Sequence, residues 1–154
     1  MIIRISSRVF SNGFEITTPA EILSAKKSHS SFREMHIFNA SGTQIARLGQ
    51  EQESFFRTVY NIIISGGGFY QFGRDKSSSR IWSCRGDGKL YQVSEGSRRR
   101  FDIVNETEKV AEYSKALFAN DYAITVINEA ETKLVICIVI ALSLSEHQWT
   151  DILA

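Results

Sequence analysis

Arginine is the residue whose type and spacing point most directly to a chemistry in this chain. Arg98, Arg99 and Arg100 stand in a row before Phe101, and Arg74, Lys76, Arg80 and Arg85 fall in or beside neighbouring turns, with Lys26 and Lys27 as a third group. A guanidinium is a planar fork that pairs two oxygens at once, so cations gathered by folding would hold a phosphorylated headgroup or an acidic partner. Alternation along a strand would put Arg98 and Arg100 on one face and Arg99 on the other. The plainer reading is a solvated basic rim balanced by the 17 acidic residues.

The remaining reactive residues form no recognisable constellation. His29, His36 and His147 lack a metal-ligand spacing. No Gly-x-Ser-x-Gly elbow occurs, and "GRDKSSSR" lacks the spacing of a phosphate loop. "SGGGF" reads as a hairpin turn, because no helix follows to offer its N-terminus to a phosphate. Asp75, Asp87, Asp102 and Asp121 sit in or beside turns and make no acid–base pair. The expectation is a chain with no active site, no cofactor and no metal. The alternative is a small enzyme whose site forms only in the folded chain.

Composition sets the outer bounds. At 154 residues, with 43% apolar and 23% charged, the sequence describes one globular domain over residues 1–154. A net charge of +1 supplies no global field, so nucleic acid is not an expected partner. Cys84 and Cys137 follow neither a metal nor a disulfide spacing. The start "MIIRISSRVF" has too short an apolar run for a signal peptide. A reduced, cytoplasmic setting follows as the expectation.

The elements that must position these residues read mostly as strands between turns. "NGFEITTPAEILSAKK" is turn, strand, break at Pro19, strand. "FREMHIFNASGTQIARLG" is a hairpin with Met35 and Ile37 on one face and Glu34, His36 and Phe38 on the other. "FFRTVYNIIISGGGFYQFGR" turns at Gly66-Gly67-Gly68, and "RIWSCRGDGKLYQVSE" turns at Gly86-Asp87-Gly88. "SRRRFDIVN" and "NDYAITVINEA" add strands. "ETEKVAEYSKALFAND" fits a helical face through Val110, Tyr113 and Leu117, and equally fits an exposed strand; its propensities favour helix.

"TKLVICIVIALSLSEHQW" decides the architecture. Its apolar core, Leu134 to Leu144, falls short of the roughly 20 residues that span a bilayer. Its β-branched residues suit a buried strand. Yet Asn128-Glu129-Ala130-Glu131 looks like a capping box, and a helix from about Glu129 to His147 would be apolar on every side. Such a helix must be surrounded by protein.

A β-rich chain ending in that helix resembles the tubby C-terminal-like superfamily, above all the LURP-one-related proteins, with phospholipid scramblases as more distant relatives. The resemblance is one of pattern. It rests on "MHIFNASGTQIARLGQ", "TVYNIIISGGGFYQFGR" and "EKVAEYSKALFANDYAITVINEAETKLVICIVIALSL" and on their order, and it covers nearly the whole chain. It implies a closed antiparallel barrel of about twelve strands wrapped around a buried hydrophobic C-terminal helix. It also implies that Glu108 to Phe118 is a strand. Tubby proteins bind phosphoinositides through a basic surface patch, so the implied function is a non-enzymatic binding module for an anionic lipid headgroup or a protein partner. No specific tubby motif is matched, so the residues expected to carry such binding are those the basic pattern itself singles out: Arg74, Lys76, Arg80, Arg98, Arg99 and Arg100. Any membrane contact would be peripheral.

Overall fold

Alternation of apolar and polar side chains builds twelve strands. The computed structural model describes residues 1–8, 13–27, 34–54, 57–74, 81–95, 100–106, 108–115 and 121–153; side chains are described for all of these except 8, 52–54, 57, 58, 95 and 146–153. The strands are β1 (Ile2–Arg8), β2 (Gly13–Thr17), β3 (Ile22–Lys27), β4 (Glu34–Phe38), β5 (Gln44–Ser54) and β6 (Arg57–Ile64). They continue with β7 (Gly68–Arg74), β8 (Ile81–Gly86), β9 (Lys89–Glu95), β10 (Arg100–Asn105), β11 (Glu108–Lys115) and β12 (Asp121–Val126). Each pairs antiparallel with its sequence neighbours, and β1 pairs with β12, so the meander closes into a barrel.

Geometry explains why the barrel needs a filler. Twelve strands about 4.8 Å apart and tilted about 40° enclose a circle about 24 Å across, whereas a helix with its side chains is about 10–12 Å wide. The difference leaves room for one layer of inward side chains around a helix. That helix is α1 (Thr132–Leu153). Leu134 to Leu142 are all at most 3% exposed, and nine consecutive buried residues leave no face of the helix on solvent. The inward layer comes from the strands, for example Ile3, Ile16, Leu48, Ile62, Phe72 and Ile124.

The cap differs in part from the sequence expectation. Asn128 does cap, its Oδ1 accepting from the Ala130 amide at 3.2 Å. The first turn, Glu129–Glu131, is a 3-10 turn that leads into α1. The Asn128 amide donates to the Val110 carbonyl, so it is not left for Glu131; that carboxylate lies 3.6 Å from Lys89 Nζ instead. The helix also runs past His147 to Leu153.

Residues 108–115 form a strand, against their helical propensity. A bulge explains the irregular pattern. Ile103 pairs with Ala111 and Val104 with Lys109, which leaves Val110 as the extra residue. Val110 and Ala111 are consequently both buried. The Val110 carbonyl accepts from the amides of Ile127 and Asn128, steering the chain from β12 into the lumen.

The turns follow their residues. Asp87 and Gly88 both have positive φ, 51° and 69°, as a two-residue type I′ hairpin requires. Among the described residues, no helix is long and apolar enough to cross a membrane. The strands also invert the pattern of a membrane barrel, which turns an apolar band outward. Here the apolar face is inside, and the wall turns Arg4, Glu34, Arg47, Gln71, Arg85 and Glu112 outward.

Candidate functional site

An antiparallel meander sends alternate connections to opposite ends, so the barrel has two distinct mouths. The helix begins at one, here the upper mouth, together with the β2–β3, β4–β5, β6–β7, β8–β9 and β10–β11 turns. The lower mouth is formed by the other strand ends.

Charge is sorted between them. Within the last two residues of each strand at the lower mouth, the described side chains include Lys26, Lys27, Arg74, Arg100 and Lys115 against Glu34 and Asp121: five cations to two carboxylates, a surplus of three. At the upper mouth, the corresponding described residues and turns carry Glu21, Asp87, Glu106, Glu108, Glu129 and Glu131 against Arg85, Lys89, Lys109, Lys133 and the Met1 ammonium: six carboxylates to five cations, a surplus of one. Glu129 and Glu131 also suit the positive end of the α1 dipole.

Of the six residues expected to bind an anion, Arg74 and Arg100 are described, and Lys76, Arg80, Arg98 and Arg99 lie outside the described residues. Arg74 is in register with Trp82 on the inward face, and its guanidinium sits 5.0 Å from the centre of that indole. Trp82 stacks in turn on Phe72 at 5.4 Å. Arg100 is three strands away and faces outward, beside a groove that includes Asp102, Glu112 and Ser114. The two are therefore on opposite faces of the barrel wall and do not share a pocket.

Several of the other sequence candidates are engaged with neighbours on the wall or buried within it. Asp102 is on the outer face of β10 with Lys109 Nζ at 3.0 Å, and Lys109 also reaches Glu112 at 2.7 Å. These two carboxylates hold the Lys109 pKa above its ordinary value, Glu112 contributing more. Glu34 is shared between His36 Nε2 and Arg47 Nε, each at 3.2 Å. His29 and Asp75 lie outside the described residues, as does the His147 side chain. Cys84 and Cys137 are free and buried. Burial pushes the Cys84 thiol up to about 12 and raises that of Cys137 as well, with Cys84 as a lesser cause. Neither is a ready nucleophile. Among the described residues no group of three His, Cys, Asp or Glu is placed to hold a metal.

One feature of the upper mouth was not read from the sequence. A cleft of about 730 Å³ opens between the start of α1 and the turns from β2–β3 to β8–β9. Its floor includes Leu23, Ile45, Ile64, Tyr70, Leu134 and Ile136, and its rim carries Glu21, Asp87, Glu129 and Glu131 with Lys89 and Lys133. Below it, the buried Tyr91 phenol has a raised pKa, mainly from burial and then from Glu131 beside it. These residues are scattered over more than 100 positions, and only the strand topology brings them together. No family model, curated protein or solved structure matches this chain.

Proposed function

We propose that the protein is a non-enzymatic binding module that docks reversibly on anionic lipid surfaces through its lower mouth. The observation that supports this is the sorting of charge, which among the described side chains leaves a cation surplus at that mouth and a slight carboxylate surplus at the other. A pocket for a single headgroup would need adjacent cations. Lys26 and Lys27 on β3 are instead five strands from Arg100 on β10. A bilayer is flat and meets the whole mouth at once, so cations spread around it add up. At about 1 kcal/mol per basic residue near an acidic surface, a surplus of three gives about 3 kcal/mol, enough for weak and salt-sensitive attachment. The resemblance to tubby-like proteins points the same way.

The test is co-sedimentation with vesicles of phosphatidylcholine alone or with added phosphatidylserine, at low and high salt. Binding should need the acidic lipid and fall as salt rises. The triple variant K26E/K27E/R100E should lose it while keeping the parent's melting temperature, since all three side chains are exposed. Equal binding to neutral vesicles, or an unaffected variant, would overturn the proposal.

A further inference from the structure

The upper mouth carries two features that the lipid reading does not use. Every large apolar side chain exposed among the described residues is there: Ile2 and Ile22 open β1 and β3, Ile63 and Phe69 face each other across the β6–β7 pair, and Ile127 follows β12. They fall in two groups on the outer wall, Ile127, Ile2 and Ile22 over β12 to β3 and Ile63 with Phe69 over β6 and β7, with β4 and β5 between them. The second feature is a set of four carboxylates outside the ion pairs of that mouth, facing Arg85, Lys133 and the Met1 ammonium, which lie outside those pairs too. Lys89 lies beside Glu131 and Lys109 beside Asp102 and Glu112, whereas Asp87, Glu106, Glu108 and Glu129 have no cation at ion-pair distance among the described residues.

We propose that the upper mouth is a docking site for a peptide segment of a partner protein, in which apolar side chains alternate with Lys or Arg. The cleft, with its apolar floor, takes an apolar side chain, and a volume of about 730 Å³ exceeds what one such side chain fills. The carboxylates at its rim, Asp87 and Glu129, meet the flanking cations. The Ile63–Phe69 pair on β6 and β7 flanks the cleft and extends the apolar surface beyond it, which suits a polypeptide better than a small molecule. Charge also decides against a membrane as the occupant. An acidic bilayer would be repelled by the same carboxylates that would attract a basic segment.

The experiment uses the full chain and a phage-displayed library of random peptides as the probe, in the absence of lipid, so its result is independent of vesicle binding. Selected peptides should converge on apolar residues next to Lys or Arg. One selected peptide, synthesised and titrated by calorimetry, should bind D87N/E129Q about tenfold more weakly, the effect of losing two modest ion pairs. Asn is chosen at position 87 because it tolerates the positive φ there. F69S should weaken the same peptide and leave the melting temperature near the parent's. Selection of acidic peptides or of no consensus would overturn the proposal, as would a consensus peptide indifferent to these variants. Attachment to neutral vesicles that F69S abolishes would overturn it in favour of a lipid-facing mouth.

Discussion

Replacing Ile138 with Asp tests the helix-in-barrel arrangement at its centre. Ile138 is 0% exposed, midway along the buried stretch of α1. Losing its side chain removes about 1.5–3 kcal/mol of burial. An ionised carboxylate is not tolerated there, so the Asp must stay protonated at neutral pH, three units above its usual value, at about 4 kcal/mol. The neutral carboxyl, still without a partner, adds about 1–3 kcal/mol. The sum, about 7–10 kcal/mol, matches the entire stability of a typical domain, about 5–15 kcal/mol. The variant should therefore be insoluble or unfolded by circular dichroism. Ile138→Val should cost only about 0.5–1.5 kcal/mol in urea unfolding, the loss of one methylene. Ile63→Asp, on the outer face, should cost about 1 kcal/mol, a strand-propensity effect. A soluble Ile138→Asp protein that unfolds cooperatively within about 2 kcal/mol of the parent would refute the enclosure of α1.

Two further outcomes follow from the barrel wall and its interior. In Gly86→Ala the added carbon would overlap the Phe69 carbonyl oxygen and lie 2.7 Å from Tyr70 Cα, both backbone atoms. It should lower stability by at least about 1–3 kcal/mol in urea titration, whereas Gly49→Ala, with nothing within 4 Å of its new carbon, should unfold near the parent's midpoint. Alkaline pH should also destabilise the fold. Cys84 and Tyr60 ionise near 9 and 10 when unfolded and are pushed up to about 12 when folded, in both cases chiefly by burial. Above about pH 9 the unfolded state then binds fewer protons than the native state, so stability is intact below that pH and falls as pH rises towards 12. Urea midpoints that stay level from pH 8 to about pH 11 would contradict the burial of these groups.

Local chemistry made much of the fold legible before any coordinates. The turns at Gly66-Gly67-Gly68 and Asp87-Gly88 are places where the backbone needs positive φ, and their residues announce it. The apolar run announces a helix because its capping Asn128 precedes it and its length exceeds a typical strand. The strand at residues 108–115 was reached through the resemblance and not from its own residues, for a specific reason. Their Glu, Lys and Ala content favours helix, and the bulge at Val110 breaks the alternation that would have marked a strand. The mouths were hidden for another. Glu21, Asp87 and Glu129 are far apart in sequence, and their shared location depends on the number of strand reversals between them. The opposite facing of Arg74 and Arg100 likewise depends on register, which composition does not encode.

The seam between β1 and β12 has a consequence for how the protein is made. It joins the first strand of the chain to the last, with partners such as Ile3 and Ile124 separated by most of the sequence. The segment that fills the lumen comes later still. During synthesis the growing sheet therefore keeps one open edge at β1 and another at the newest strand, and its oily concave face lacks its plug until residues beyond Thr132 emerge. A ribosome that stalls before Thr132 leaves a curved sheet that has nothing to close around. Such a nascent chain is a natural client for chaperones that cover apolar surface. The 23 residues from Thr132 onward thus decide whether the apolar face built by the 131 before them is covered.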